Sequence, residues 1–458
     1  MGEEAPNGGA DNDHCRHDSS TSWVLEMEKL VGTGSEKAAV VDEEQWMEQS
    51  IYRVPEWIKS MHRTEAYEPR MVALGPLHHG EPRLLPMEEH KRRATLHLVR
   101  RSGRPLRRLV DAVEQVAEDL RAAYGRDLGE QWRGDEKNKA RFVEVMLTDG
   151  CFLLELIQMC DGRFDYLSHD PVFGTHGRVY VWPVVQSDML VLENQLPLLL
   201  LKRLLAVLLD IPPVVELDRV INHMVLQFLG RKLEEDLLQD VPLGLHPLDI
   251  FHTSLVYAKG AHEARKPLHD CYKYEIMPTA IKIHEAGIKI RSSKTDNLLD
   301  IHFEHGVLSM PSLVVDDDTE RTFFNLMAFE RLHVSSGNVL TNYVIFLDNI
   351  IESAMDVEML SSKGVLRNML GCDKETAKLF NGTLSKGAVL GSSRQLHTVQ
   401  WKVYRHCRRP WNKWRASLIR TYFRNPWAFI SLVAAAILLT ATIFQTVYTI
   451  VPFYKSKP

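Results

Sequence analysis

The chain has 458 residues, of which 45% are apolar and 25% are charged. These proportions are typical of a folded protein with a substantial core, and the length suits one large domain or two of medium size. The formal net charge of −5 is small, so the overall charge does not predict nucleic-acid binding. Six cysteines without CxxC spacing exclude a disulfide scaffold.

The amino-terminal segment, residues 1–45, is rich in Gly, Asp, Glu and Ser and poor in bulky apolar side chains. Such a composition cannot bury enough surface to offset the entropy lost on ordering, so it predicts disorder. The segment also lacks the apolar stretch of a secretory signal peptide. We therefore expect the folded body to begin near residue 46.

Helical periodicity dominates the body, residues 46–382. Apolar residues recur at helical spacing over 104–124, which predicts an amphipathic helix. The segment 140–160 is apolar on most sides, which predicts a central helix. The segment 189–209 is also very apolar, but polar and charged residues interrupt it. Its uncharged run is too short to cross a bilayer, so it predicts a core helix. Another helix is expected over 214–239.

One β element interrupts the helical pattern. Residues 299–315 alternate between apolar and polar side chains, with His305 and Gly306 at a turn, and predict a small antiparallel β-hairpin. Helical patterns then resume at 318–332. The predicted fold class is therefore mainly α: a multi-helix globular domain with a small antiparallel β-hairpin, followed by a single C-terminal transmembrane helix.

The stretch GPLHHGEPRLLPMEEHK, residues 75–91, brings together His78, His79, Glu88, Glu89 and His90. His78 and His79 are adjacent, so their side chains diverge in an extended chain, and the i,i+4 spacing of a helical zinc site is absent. No P-loop, nucleophile elbow or kinase signature occurs elsewhere. The sequence therefore predicts no catalytic residue, no metal site and no cofactor. We favour a protein that is not an enzyme; the alternative is a membrane-bound hydrolase using the region of His78, His79 and Glu89.

The carboxyl-terminal region predicts membrane attachment. The segment 428–451, from Ala428 to Val451, contains no charged side chain, and roughly 20 apolar residues suffice to cross a bilayer as a helix. We expect a Ser- and Gly-rich linker over 383–400, a basic juxtamembrane helix over 401–427 and a short tail over 452–458. The basic membrane flank comprises Arg405, Arg408, Arg409, Lys413, Arg415, Arg420 and Arg424.

Cationic side chains remain on the cytoplasmic side of a membrane, so this flank predicts a cytoplasmic body and a single-pass, tail-anchored topology. The expected partners are the lipid bilayer and proteins that the sequence does not identify. Asn381 begins an Asn-Gly-Thr sequon, which a cytoplasmic body would leave unmodified. A glycan on Asn381 would instead indicate a receptor-like protein with its body outside the cytoplasm. The sequence does not distinguish the plasma membrane from an endomembrane.

Several longer stretches resemble one plant family, domain of unknown function 247. They are IYRVPEWIKSMHRTEAYEPRMVALGPLHHGEPRLLPMEEHKRR, LTDGCFLLELI, DMLVLENQLPLLLL, EAGIKIRSSKTDNLLDIHFEHGVLSMPSLVVDDDTERTFFNLMAFE and NPWAFISLVAAAILLTATIFQTVYTIV. They cover about residues 51–451 in the family's order. The resemblance implies a plant source and a membrane-associated protein, and it carries over no catalytic residue.

Some grass members of that family are linked to self-incompatibility between pollen and stigma, a role that similarity alone does not assign to this chain. Anchoring a domain without a catalytic signature raises its effective concentration near membrane partners. The hypothesis that follows is a single-pass, tail-anchored plant membrane protein that acts as a protein-interaction or signalling component.

Overall fold

The computed structural model of the chain describes residues 23–25, 28–29, 48–161, 166–231, 241–257, 276–391, 394–418, 421 and 426–455. Over these ranges the fold is mainly α with a few short strands, which confirms the predicted fold class. Apart from 23–25 and 28–29, the predicted disordered segment 1–45 lies outside the described residues.

The buried apolar side chains form two hydrophobic cores. The first core uses residues between Ile51 and Ile250, and the second mostly uses residues between Met277 and Val403. In the amino-terminal half the helices are α1 (Glu56–Lys59), α2 (Pro86–Ser102), α3 (Leu106–Glu114), α4 (Ala117–Ala122), α5 (Glu136–Gln158), α6 (Thr175–Tyr180), α7 (Trp182–Asp188), α8 (Leu198–Leu209), α9 (Glu216–Phe228) and α10 (Pro247–Val256). Short 3₁₀ turns cover Thr64–Tyr67, Gly125–Asp127, Glu130–Trp132 and Met159–Asp161.

Helix α5 lies at the centre of the first core, as the pattern over 140–160 predicts. It begins where the Asp135 carboxylate accepts a hydrogen bond of 2.9 Å from the backbone N–H of Asn138. Helices α2, α3, α8 and α9 all contact it. Gly150 permits the close approach of α8, because a Cβ there would lie 2.6 Å from Leu204 Cδ1.

Two predicted helices have different bounds in the structure. The pattern over 104–124 forms α3 and α4, which are separated at Val116, where φ of −114° and ψ of 11° leave the helical region. The core helix expected over 189–209 begins only at Leu198. Residues 189–197 instead form an irregular segment between the two cores. Together with Asp188, the last residue of α7, we call this segment the junction loop. Its polar side chains bond to backbone groups in place of helical hydrogen bonds.

The carboxyl-terminal half contains helices, short strands and one π-helical turn. In chain order these are α11 (Ala280–Glu285), β1 (Lys289–Ser292), β2 (His302–Glu304), β3 (Val307–Met310), β4 (Leu313–Val315), α12 (Thr319–Leu332), α13 (Val339–Ile350), α14 (Ala354–Ser362), β5 (Leu366–Asn368), α15 (Asp373–Lys378), the π-helix Leu379–Leu384, α16 (Arg394–Cys407), α17 (Pro410–Leu418) and α18 (Pro426–Lys455).

The predicted hairpin is present. Strands β2 and β3 are antiparallel, with Phe303 opposite Leu308. His305 and Gly306 have φ values of 49° and 77°, the left-handed pair that a type I′ turn requires. The sequence analysis missed β1, which pairs in parallel with β3, and the parallel pair β4–β5. Strands this short give too few alternations for a period of two to be recognised.

The basic region differs from its predicted form. The linker expected over 383–400 is helical at its end, because α16 begins at Arg394. Val399 and Val403 of α16 are buried in the second core. Helix α16 contacts β2 and α13, and α17 contacts α11. In place of one juxtamembrane helix over 401–427, the described residues thus form two helices that pack against the body.

Candidate functional site

Residues 75–91, which we call the HHG stretch, begin in the loop between α1 and α2 and end in the first turns of α2. His78 is buried in the loop part. Its Nδ1 lies 2.5 Å from Glu81 Oε1, and its Nε2 lies 3.5 Å from Glu193 Oε2 in the junction loop. Burial works against ionisation of Glu81, but the hydrogen bonds and charges of His78 and Arg83 outweigh it and lower the pKa of Glu81. His78 therefore connects its own loop to the junction loop.

His79 has separate surroundings from its neighbour. The edge of its ring packs against Trp132, with centroids 5.6 Å apart, and its Nδ1 lies 4.0 Å from Glu88 Oε2. Burial lowers the pKa of the His79 imidazole, although the Glu88 carboxylate opposes this shift. Glu89, which the hydrolase alternative uses, is exposed on α2.

The geometry of a hydrolytic triad is not assembled here. Over the ranges that the structure describes, no serine, threonine or cysteine side chain is hydrogen-bonded to His78 or His79. The same ranges contain no group of three histidine, cysteine or carboxylate side chains that could hold a metal ion. A nucleophile and its base need hydrogen-bond proximity, so these histidines are better explained as parts of a structural network.

That network continues at Lys91 of α2, which is fully buried. Lys91 Nζ forms an ion pair with Asp149 Oδ1 at 2.7 Å, and it donates to Glu88 Oε1 at 2.6 Å and to the Ala73 carbonyl oxygen at 2.5 Å. The second oxygen of Asp149 accepts from the backbone N–H of Gly75 at 2.8 Å. Burial raises the pKa of Asp149 to about 6, against the opposing charge of Lys91. The pair fixes α2, α5 and the start of the HHG loop relative to one another.

The junction loop supplies polar partners for the segment that precedes the HHG stretch. The Asp188 carboxylate accepts from the backbone N–H groups of Met71 and Val72 at 2.7 and 3.0 Å. Asn194 Oδ1 accepts from the N–H of Leu74 at 2.7 Å, and Asn194 Nδ2 donates to the Val72 carbonyl at 3.0 Å. Buried irregular backbone must satisfy its hydrogen bonds in this way.

Helix α12 is linked to the same loop. The Arg321 guanidinium donates to Asp188 Oδ1 at 3.0 Å and to Ser187 Oγ at 2.7 Å. Asn325 Oδ1 accepts from the N–H of Leu192 at 2.9 Å. The sequence analysis did not identify these residues, although carboxylate and amide side chains within a very apolar run are a signal for buried hydrogen bonding.

Helix α18 is the other candidate site. Its segment Trp427–Tyr448 has 22 residues and a mean hydropathy of 2.3, and none of its most apolar window is buried against the rest of the chain. Hydroxyl groups along it bond back to the helix, for example Thr440 Oγ1 to the Ala436 carbonyl at 2.8 Å. The described chain has one helix long and apolar enough to cross a membrane.

The basic flank lies on α16 and α17, between the body and α18. Arg405 belongs to α16, Lys413 and Arg415 belong to α17, and Arg408 and Arg409 lie in the turn between the two helices, whereas Arg420 and Arg424 lie outside the described residues. The Arg405 guanidinium stacks over Trp401 at 5.1 Å. Trp411 and Trp414 neighbour each other at 5.6 Å and are 71% and 60% exposed. Exposed tryptophans beside arginines are typical of a membrane–water interface.

The sequon residue Asn381 is exposed in the π-helix after α15, and Thr383 is half-buried. The side chain is accordingly accessible to a glycosyltransferase if the body enters a compartment that contains one.

The order of these segments is also found in other plant proteins. The sequence profile of the family of domain of unknown function 247, described as a plant protein of unknown function, matches residues 51–441. The chain belongs to this family. UPF0481 protein At3g47200 of Arabidopsis thaliana is 27% identical over 434 residues, which cover 89% of this chain and 87% of the relative.

A second Arabidopsis thaliana relative, Putative UPF0481 protein At3g02645, is 22% identical over 523 residues, covering 93% of this chain and 94% of that protein. No solved structure matches the chain. In this member of the domain of unknown function 247 family, the HHG stretch and the junction loop form one buried network of hydrogen bonds and ion pairs.

Proposed function

We propose that the chain is a single-pass, tail-anchored membrane protein of plant cells, with its helical body in the cytoplasm. We further propose that the body acts as a protein-interaction or signalling component held at the membrane by α18. The observation that carries the proposal is the exposure of the apolar segment of α18, of which the most apolar window is not buried by the body.

The energetic argument follows from the side chains of that segment. Ile437, Leu438 and Leu439 near its middle are 63%, 68% and 64% exposed. Removing a large apolar side chain from water contributes about 1.5–3 kcal/mol. A helix with many such side chains therefore favours hydrocarbon by more than the whole stability of an ordinary domain, which is about 5–15 kcal/mol.

The flank supports the cytoplasmic orientation of the body. Five described cations on α16, on α17 and in the turn between them precede the apolar segment, and positively charged loops are retained on the cytoplasmic side. Anionic lipids of the cytoplasmic leaflet attract such residues, by about 1 kcal/mol for each Lys or Arg near the surface. Trp411 and Trp414 lie on the same helix as Lys413 and Arg415, so their rings can occupy the interfacial layer.

The buried network supports an interaction role over a chemical one. The titratable groups of the HHG stretch and the junction loop are directed at one another and at the backbone. A body of this kind offers its surface to partners, and a membrane anchor raises the effective concentration of those partners.

Alkaline carbonate extraction of the full chain, expressed as a fluorescent fusion in plant cells, tests the anchor. We expect the protein to remain in the membrane pellet. The variant Leu438→Arg/Leu439→Arg places two charges at the middle of the segment, each costing about 2.5–3.5 kcal/mol on insertion scales, and is expected to move into the extract.

The matched control is Val215→Arg/Val334→Arg, which adds the same charge at body positions that are 76% and 93% exposed. It is expected to stay in the pellet. Release of the unmodified chain by carbonate would refute the proposed anchor.

A further inference from the structure

A basic pocket opens on the surface of the second core, between α11, β1 and the end of α14. Its cavity volume is about 640 Å³, and its polar lining consists of His284, Lys289, Arg291, Lys363, Ser292 and Ser362. The lining contains four basic side chains and two hydroxyls, with no carboxylate among them. The family comparison and the anchor proposal assign no role to this pocket.

The local fold explains why these cations converge. Strand β1 alternates, so Ile290 is buried while Lys289 and Arg291 are exposed on one face. Strand β1 is also the edge of its sheet, which leaves that side open. Lys363 follows the last residue of α14, and its backbone N–H donates a hydrogen bond to the Leu360 carbonyl at the end of that helix.

The cations of the pocket are not neutralised by the body. Over the described ranges, Lys289, Arg291 and Lys363 form no ion pair, whereas neighbouring Lys282 lies 3.1 Å from Glu352. Glu304 is exposed on the same sheet, but it lies on β2, the strand farthest from β1. Uncompensated cations that are grouped in a concave site attract a polyanion.

The pocket is also close to the basic flank. Helix α17 contacts α11, and the Arg415 guanidinium lies against Gly287, which falls between His284 and Lys289 in the chain. Gly287 has a φ of 93° and no side chain to obstruct the arginine. The pocket and the flank therefore occupy neighbouring parts of the surface, and α18 follows α17 in the chain.

We propose that this pocket binds a multiply phosphorylated ring, such as the headgroup of a phosphoinositide or the corresponding free inositol phosphate. Phosphate oxygens accept the charge-assisted hydrogen bonds that Arg291, Lys289 and Lys363 can donate, and Ser292 and Ser362 add hydroxyl groups to the site. The lipid form of the ligand rests on the proposed function, because α18 must hold the pocket near a bilayer. The free form does not depend on it.

The first test measures binding of inositol hexakisphosphate to the full chain in detergent by isothermal titration calorimetry. The pocket variant is Arg291→Gln/Lys363→Gln, and the matched control is Arg92→Gln/Lys137→Gln, which removes the same charge from exposed positions on the first core. We expect the pocket variant to bind at least about tenfold more weakly, and the control to remain within about twofold. Far-UV circular dichroism and thermal unfolding verify that both variants are folded.

The proposal would be overturned if the unmodified chain did not bind inositol hexakisphosphate, or if the pocket variant and the control variant lost affinity equally. This outcome is independent of the anchor, because the detergent-solubilised chain needs no bilayer and carbonate extraction is measured separately. We expect the pocket variant to stay in the carbonate pellet.

The second test identifies the source of the phosphorylated ring. The full chain is placed in phosphatidylcholine nanodiscs that contain either phosphatidylinositol 4,5-bisphosphate or enough phosphatidylserine to give the same charge. If inositol hexakisphosphate binds more weakly in the phosphoinositide discs but not in the phosphatidylserine discs, a lipid headgroup occupies the pocket. Equal binding in the two discs supports the free inositol phosphate.

Discussion

Lys91 of α2 and Asp149 of α5 form a fully buried ion pair, with Nζ 2.7 Å from Oδ1. Each also bonds to the loop that carries the HHG stretch, Lys91 to the Ala73 carbonyl and Asp149 to the Gly75 N–H. A buried charge is tolerated only with a partner. The position of that loop on the first core therefore depends on both residues.

Removal of Lys91 should be strongly destabilising. Lys91→Met preserves much of the side-chain volume but leaves the Asp149 carboxylate buried beside Glu88 without its cation, so we expect a loss of about 3–5 kcal/mol in the free energy of unfolding. The measurement is urea unfolding of the full chain in detergent, followed by circular dichroism. Lys139→Met removes an exposed pair with Glu136 and should cost less than about 1 kcal/mol. Equal midpoints for the two variants would contradict the structural role of the pair.

The contact of α5 with α8 predicts a different kind of loss. Gly150→Ala should destabilise the chain by about 1–3 kcal/mol through overpacking against Leu204, even though alanine favours a helix by about 1 kcal/mol over glycine. Gly382→Ala, which meets no atom within 4 Å, serves as the control. The loss of unfolding free energy in the double variant Gly150→Ala/Leu204→Ala should be smaller than the sum of the losses in the two single variants. If the two single losses add up to the loss in the double variant, residues 150 and 204 are not in steric conflict.

The pH dependence of stability should be sensitive to His246. Its Nδ1 accepts from the backbone N–H of Asp249, and its Nε2 donates to the Ser50 carbonyl. Burial lowers the pKa of His246 from 6.5 to about 4. The folded state thus binds this proton less readily than the unfolded state. The stabilisation is complete above about pH 6.5 and is lost as the pH falls towards 4, on the order of 3 kcal/mol in total.

Thermal unfolding of the full chain between pH 7 and pH 5 measures this effect. His246→Gln should flatten the dependence on pH, because it removes the group that titrates. The exposed His223 provides the control, and His223→Gln should retain the full slope. A His246→Gln slope as steep as that of the unmodified chain would assign the acid sensitivity to other groups.

Helix periodicity was enough to predict the fold class, because apolar residues recur at helical spacing in segments such as α5 and α12, beyond their polar first turns. The predicted helix boundaries were wrong where tertiary hydrogen bonds replace helical ones. The junction loop contains the apolar run 189–192, yet Asp188 and Asn194 bond to the backbone of residues 71–74. Those partners are distant in sequence and leave no local pattern.

The two candidate sites and the basic pocket also differ in how far the sequence alone predicts them. The apolar segment of α18 can be predicted from sequence, because its apolar residues are consecutive in the chain. The surroundings of His78 depend on Glu193 of the junction loop, and the basic pocket combines β1 with the end of α14. No spacing rule joins such residues, since only folding brings them together.

One measurement tests the membrane topology directly. The full chain, extended at its carboxyl end by a second Asn-Gly-Thr sequon, is synthesised in the presence of endoplasmic reticulum microsomes. A glycan, recognised by a gel shift that endoglycosidase removes, marks each sequon that reaches the lumen. Asn381→Gln identifies which sequon carries it.

A tail-anchored protein with a cytoplasmic body should be modified on the added sequon and bare at Asn381, which is exposed and free to react if it enters the lumen. A glycan on Asn381 with an unmodified tail would place the body outside the cytoplasm. Two unmodified sequons would show that α18 does not cross the bilayer.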